Sequence, residues 1–239
     1  MCKTAQVVVV GGVRRSALIS LSNLSDDLLR SAKSGDWWTH YNYRSYANNS
    51  AVYKDRPEMG IFMKEWQALY KSRSGERGMF SRAAAQKQAA QSGRRETEHD
   101  FGTNPCCEII LRPYQFCNLT EVVVKKDDTR ESLLNKVRLA TILGTYQATL
   151  TDFKYLRKVW QRTTEEERLL GVSLTGIMDN PLTHEIGEPL ETLLSDLRAK
   201  AVETNKEWAE RFGIPQSTAI TCVKPSGTVS QLVDAASGI

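Results

Sequence analysis

The chain has no apolar run approaching the ~20 residues of a membrane span. Its longest, Val7 to Val10, has only the length of a strand. Residues 1–15 lack the layout of a signal peptide, because that run is too short. These absences exclude a membrane span and argue against secretion, so the expected location is cytoplasmic. Zinc chemistry also lacks its usual pattern. The five cysteines have no paired C-x-x-C spacing, and His40, His99 and His184 complete no ligand set with them. The odd cysteine count, with nothing pointing to secretion, argues against a disulfide framework and for reduced thiols. Charge of either sign is in short excess, with 32 basic against 28 acidic residues and a net charge of +4. That suits anionic ligands such as nucleotides and is too little for a nucleic-acid surface.

At 239 residues, 41% hydrophobic and 25% charged, the chain can bury a sizeable core. Ala5 to Val10 reads as a buried strand entering a loop at Gly11-Gly12, followed by a second apolar run at Ala17-Leu18-Ile19. A helix is expected over 26–34, closed by Gly35, and another from Pro57 to Tyr70. Residues 74–78 read as a loop, 83–91 as a helix and 92–100 as an exposed connector. Short strands are expected at 108–111 and 120–124, then a long helical stretch over 131–158 with a break near 150–152. A strand over 169–176, an amphipathic helix over 189–212 closed by Gly213, and a strand over 217–223 complete the pattern. Strands alternating with long helices predict an α/β architecture with the strands at 5–10, 108–111, 120–124, 169–176 and 217–223 in one sheet. Trp37, Trp38, Tyr41, Tyr43 and Tyr46 have no basic stripe beside them, and they read as packing residues rather than base-stacking platforms.

The chemistry concentrates in Asn104-Pro105-Cys106-Cys107-Glu108, with Cys117 eleven residues beyond Cys106. A thiol can form a thiyl radical, which abstracts carbon-bound hydrogen reversibly. A neighbouring carboxylate can take a proton from a hydroxyl. A further thiol can deliver reducing equivalents by closing a disulfide. Taken singly, these cysteines could be small buried hydrophobes. Their clustering with Asn104 and Glu108 points to catalysis. Lys224-Pro225-Ser226-Gly227-Thr228 follows an expected strand and opens a helix, so its N–H groups and hydroxyls could hold an anion. It is not a Walker A loop, and alone it reads more readily as a turn. Gly11-Gly12-Val13-Arg14-Arg15 is glycine-rich and basic. Asn48, Asn49 and Ser50 serve equally well as turn residues or as contacts to a ribose or base edge.

The segment Asn104-Pro105-Cys106-x-Glu108-Ile109, with Cys117 beyond it, resembles the active-site signature of ribonucleotide reductases. Proline after the asparagine is similar to the class II, adenosylcobalamin-dependent branch. The segments at 12–17, 48–50, 74–78, 171–176 and 224–228 resemble that branch in the same order, and the monomeric triphosphate-reductase subtype most. The resemblance spans nearly the whole chain. It implies part of a ten-stranded α/β barrel, with 104–108 on a loop projecting inside, and residues 1–239 as a partial catalytic barrel domain.

Carried over, Cys106 matches the residue that becomes the thiyl and takes the ribose 3′ hydrogen. Glu108 matches the base for the 3′ hydroxyl, and Asn104 the residue that holds glutamate and substrate. Cys117 matches one member of the redox pair acting at the 2′ position. Cys107 stands at a variable position that is often glycine, so a second thiol there is a departure. Motif register favours Cys106 as the reacting sulfur. Residues 224–228 match the loop holding substrate phosphates, and residues 11–15 the loop relaying effector identity. The implied partners are a ribonucleotide substrate, a deoxynucleotide effector and a thioredoxin-like reductant, with no nucleic acid, membrane or metal ligands.

The resemblance also implies that the partner of Cys117 lies upstream of residue 1 and that the cobalamin-binding segment and C-terminal cysteines lie outside the chain. The chain therefore reads as the central part of a longer enzyme, inactive in isolation. Two alternatives stay open. One is an incompetent nucleotide-binding fragment that needs complementation. The other is an oxidoreductase using Cys106 and Cys107 as a vicinal dithiol.

Overall fold

The computed structural model describes residues 2–7 and 17–239. Two compact units emerge, one from residues up to 88 plus 97–110, the other from 89–96 and 111–239. Each is an α/β arrangement of parallel strands.

The first unit begins with α1 (Cys2–Val7), where a strand over 5–10 is expected. The β-branched run starts only at Val7, and Lys3, Ala5 and Gln6 are good helix formers. Lys3 of α1 lies over the Tyr43 ring in the 3₁₀ turn Asn42–Tyr46. Residues 8–10, and the candidate effector loop Gly11, Gly12, Val13, Arg14 and Arg15, lie outside the described residues. Then follow β1 (Leu18–Ser22), α2 (Asp27–Arg30), α3 (Trp37–His40) and β2 (Ala47–Tyr53). After them come α4 (Met59–Ser72), β3 (Gly78–Ser81) and α5 (Arg82–Ala90).

Strands β1, β2 and β3 form one parallel sheet with β2 in the centre, Leu18 opposite Ala47 and Ser50 opposite Gly78. None of these three strands follows from the apolar pattern. A central parallel strand is covered on both faces, so burial along β2 is nearly continuous and shows no alternation. Its Asn48-Asn49-Ser50 start mimics a turn, and asparagine is depleted in strands. Gly78 is needed beside β2, because a Cβ there would stand 3.0 Å from the Ser50 hydroxyl.

A buried ion network ties this sheet to its helices. Glu65 of α4 accepts two bonds from Arg77, at 3.0 and 2.7 Å, and one from Arg30 at 2.5 Å. Arg77 also donates to the Ser22 hydroxyl at 2.8 Å and to the Asn23 carbonyl at 3.0 Å.

A short ribbon pairs β4 (Gly102–Thr103) with β5 (Ile110–Leu111), within which the chain crosses from the first unit to the second. This corrects the expected single sheet, since 110–111 pairs locally with 102–103.

In the second unit, β6 (Asn118–Val123) leads to α6 (Arg130–Gln147), then α7 (Lys158–Glu167) and β7 (Leu170–Thr175). α8 (Pro181–His184), α9 (Glu188–Phe212) and α10 (Thr228–Leu232) complete it. Strands β6 and β7 are parallel, and β7 is bridged on its other side at Thr221. The expected strands at 120–124, 169–176 and 217–223 are thus neighbours, the last reduced to one bridge. Helix α6 starts at a capping box of Thr129 and Ser132, and α9 ends at Gly213 with φ +66°. The helical stretch expected over 131–158 with a break near 150–152 ends at Gln147, three residues before that break, and helix resumes only at Lys158 as α7.

Leu133, Val137, Leu193, Leu197 and Ala201 of the helices pack on Val122, Leu170 and Val172. Buried Asn205 donates to Thr145 and Ser217, both at 3.0 Å, and accepts from the Ser217 N–H at 2.9 Å.

The Glu65 network sets a stability test. Burial alone would raise its carboxyl, but hydrogen bonds and charge from Arg77 and Arg30 hold it below the usual range. That contribution is present above the unfolded carboxyl range, near ~4.3, and is lost as pH falls through the lower folded value. Glu65→Ala strands two arginines and should cost about 3–5 kcal/mol in denaturant unfolding at pH 7. The gap to wild type should shrink in acid. A gap that is constant between pH 7 and pH 3 refutes the assignment.

Candidate active site

Asn104 to Ile109 join β4 to β5 as a braced turn. The Cys107 N–H donates to the Asn104 carbonyl at 3.0 Å. The Asn104 side-chain oxygen accepts from the Ile109 N–H at 3.0 Å and from the Thr103 hydroxyl at 3.4 Å. Asn104 therefore folds its own loop around Glu108. From the centre of the sheet, Asn48 of β2 donates to the Pro105 carbonyl at 2.5 Å. A side chain expected at a sugar or base instead anchors the thiol loop.

Asn49 points the other way, as alternation along a strand requires. It donates to the Leu29 carbonyl in α2 at 2.7 Å. Ser50 returns to the face of Asn48 and lies buried against Gly78.

Cys106 and Cys107 are both exposed, at the apex of this turn. Cys107 has φ +64°, in the left-handed region. A side chain there is strained, which gives a physical reason for glycine at such a position. Desolvation raises the Cys107 thiol, as do the charges of Glu108 and Cys106, against a lowering hydrogen bond from Thr103. The residue surface is open while its sulfur faces these groups, so the thiol stays protonated near neutrality. Glu108 is partly buried, and its Oε2 is buried without a hydrogen-bond partner. Thr103 is the residue that sequence reasoning missed. Only its neighbour Asn104 hinted at it.

The other candidates belong to the second unit. Cys117 directly precedes β6 and is partly buried, with its sulfur 3.8 Å from the Asn118 carbonyl. Thr120 and Val122 face α6, so Cys117, Leu119 and Glu121 share the opposite face. Glu121 Oε1 is buried there without a hydrogen-bond partner.

Lys224 to Thr228 follow the third strand position at the carboxyl end of the parallel strands, where open α/β sheets bind ligands. Lys224 donates to the Pro225 carbonyl at 3.2 Å. Ser226 is buried and its hydroxyl accepts from the Ser230 N–H of α10 at 3.1 Å, so it is tied to that helix. Gly227 and Thr228 are exposed. The loop is pinned by residues 236–238. The Ala236 carbonyl accepts from Gly176 N–H at 2.7 Å and from the Thr175 hydroxyl at 3.0 Å. A Cβ on Gly238 would stand 2.3 Å from the Lys224 carbonyl, so only glycine fits.

No family model matches the chain. Similar proteins are nonetheless clear and of one kind. The chain is 26% identical over 264 residues to a protein of Lacticaseibacillus paracasei and 28% identical over 264 residues to one of Levilactobacillus brevis. It is 27% identical over 267 residues to one of Lactobacillus leichmannii. Its curated homologues are adenosylcobalamin-dependent ribonucleoside-triphosphate reductases. Each match covers 98% of this chain and 34% of the reductase, so the chain spans about a third of these relatives' length.

The fold agrees. A B12-dependent class II ribonucleotide reductase superposes with TM-score 0.74 and 23% identity, covering 98% of this chain and 35% of that one. The alpha subunit of the Actinobacillus ureae class Id ribonucleotide reductase gives 0.67 at 14% identity, covering 99% and 51%. The two α/β units are thus part of the ribonucleotide reductase barrel fold.

Two outcomes follow from the loop geometry. Asn104→Ala removes the acceptor of the Ile109 N–H, a bond of ~1 kcal/mol, so Ile109 hydrogen exchange should accelerate about fivefold or more. An unchanged rate rejects the brace. Cys107→Gly relieves the left-handed strain and should raise unfolding free energy by about 1 kcal/mol. Denaturant melts showing a loss of that size reject the strain.

Proposed function

We propose that the chain is the thiol-bearing part of an enzyme that reduces ribonucleotides to 2′-deoxyribonucleotides, acting on triphosphates as the relatives' name states. One observation carries the reading. Exposed Cys106 sits on a braced turn two residues from Glu108, whose buried Oε2 has no hydrogen-bond partner. A buried carboxylate oxygen without a partner is costly unless a ligand hydroxyl meets it.

Adenosylcobalamin comes to this reading through the relatives' name, and the described residues do not fit it by themselves. A cavity of about 440 Å³ beside α6 is lined by Val122, Val123, Lys136, Leu139, Ala140 and Leu143. The steps assigned to this chain therefore begin with Cys106 already a thiyl.

The Cys106 thiyl takes the ribose 3′ hydrogen and becomes a thiol. Glu108 takes the 3′ hydroxyl proton, and the 2′ hydroxyl takes a proton from one thiol of the reducing pair and leaves as water. That pair, Cys117 and a second thiol, supplies two electrons and its second proton to place a hydrogen on the 2′ carbon. It closes a disulfide that a thioredoxin-like protein reopens, while Glu108 returns its proton to the 3′ oxygen. Cys106 then returns its hydrogen to the 3′ carbon. Gly227 and Thr228 receive the substrate phosphates, and a deoxynucleotide effector acts through Gly11 to Arg15. The setting is the cytoplasm. Among the described residues no helix is long and apolar enough to cross a membrane.

The test grafts residues 1–239 into the matching third of a relative. Cys106→Ser should abolish deoxynucleotide formation and cobalamin-linked hydrogen exchange, since an O–H bond is too strong for the relay. Glu108→Gln should lower kcat by about 10²-fold or more with near-normal nucleotide binding. Cys117→Ser should permit 3′ hydrogen abstraction without clean 2′ reduction. The isolated chain should show weak nucleotide binding and no multiple turnover. Turnover in Cys106→Ser assigns the radical to the wrong sulfur, and turnover in the double Cys106→Ser, Cys107→Ser variant removes the mechanism.

A further inference from the structure

Five thiols are distributed unevenly over the surface. Cys2, Cys117 and Cys222 are partly buried, whereas Cys106 and Cys107 are exposed and consecutive. Covalent geometry places their α-carbons about 3.8 Å apart, well inside the ~7 Å within which two cysteine sulfurs can be bridged. The turn beneath them is held at three points, by Asn104 to Ile109, by Cys107 N–H to Asn104, and by Asn48 to Pro105. A fixed backbone lowers the ordering cost of closing a ring across both sulfurs.

We infer that Cys106 and Cys107 form a two-thiol site for trivalent, sulfur-seeking metalloids, of which organic arsenoxides are the probe. The site stands beyond the proposed reaction and does not depend on it, since it requires only the two thiols and their turn. The chemistry balances without an oxidant. An arsenoxide, R–As=O, meets two S–H groups. Two As–S bonds form, both S–H bonds and the As=O bond break, and the oxygen leaves as water with both protons. Arsenic stays trivalent. A protonated Cys107 supplies one of those protons directly, and its thiol is held protonated by its surroundings. Loading such a metalloid would cap Cys106, so occupancy and radical chemistry at that sulfur exclude one another.

The experiment uses the full chain and phenylarsine oxide. Intact mass should show one equivalent retained after desalting, with one water lost. Peptide mapping should show Cys106 and Cys107 protected from alkylation, and Cys117 and Cys222 still labelled. Breaking the chelate leaves one bond without its intramolecular partner, so Cys106→Ser and Cys107→Ser should each weaken binding by about 10²-fold or more. Cys117→Ser and Cys222→Ser should bind as wild type does. Circular dichroism checks that each variant is folded. Undiminished binding by Cys107→Ser, or an adduct persisting in the double variant, overturns the site. Because mass is the readout, an inactive chain that shows this pattern still supports it.

Discussion

Glu65 is the constraint on which the first unit rests. Its carboxylate is buried, and a buried charge without partners costs about 3–5 kcal/mol. Arg77 and Arg30 reach it from opposite sides in sequence, and Arg77 extends to Ser22 at the end of β1. One carboxylate therefore relates α2, α4, β1 and the approach to β3. With the outer strands placed, β2 can only lie between them, and Asn48 is carried to the Pro105 carbonyl. The position of the Cys106 turn thus depends on an ion network that contains no candidate catalytic residue.

The second unit is built on apolar packing and close backbone approach. α6 and α9 cover one face of β6 and β7, and the buried amide of Asn205 locks Thr145 of α6 to Ser217. The other face of β6 carries Cys117 and Glu121. At the carboxyl ends of the strands, glycine decides the geometry twice. A side chain at Gly176 would meet the Val124 carbonyl at 2.3 Å, and one at Gly238 would meet Lys224 at the same distance. These contacts hold the 224–228 loop where a parallel sheet offers its ligand face.

The helices were the most legible elements. α4, α5 and α9 fall within a few residues of their expected spans, because apolar spacing, Pro57 and Gly213 act locally. The strands at 118–123 and 170–175 were legible for the same reason. β1, β2 and β3 were not. Their burial comes from neighbours on both faces, and the Asn-Asn-Ser start of β2 carries the local signature of a turn. The helix at Cys2–Val7 shows the reverse case, a valine-rich stretch preceded by residues that favour a helix and packed on a 3₁₀ turn.

At the candidate site the division is sharper. Sequence alone determined which groups are present: the thiols of Cys106, Cys107 and Cys117, the Glu108 carboxylate, the Asn104 amide and their spacing. Those are covalent facts, and reactivity follows from residue type. Only tertiary structure decided what each group does with its neighbours. It turned Asn48 toward the loop and Asn49 toward α2, left Glu108 Oε2 buried without a partner, and bent Cys107 into a left-handed conformation. The reason is that hydrogen-bond partners and desolvation come from residues remote in sequence, 57 positions apart for Asn48 and Pro105.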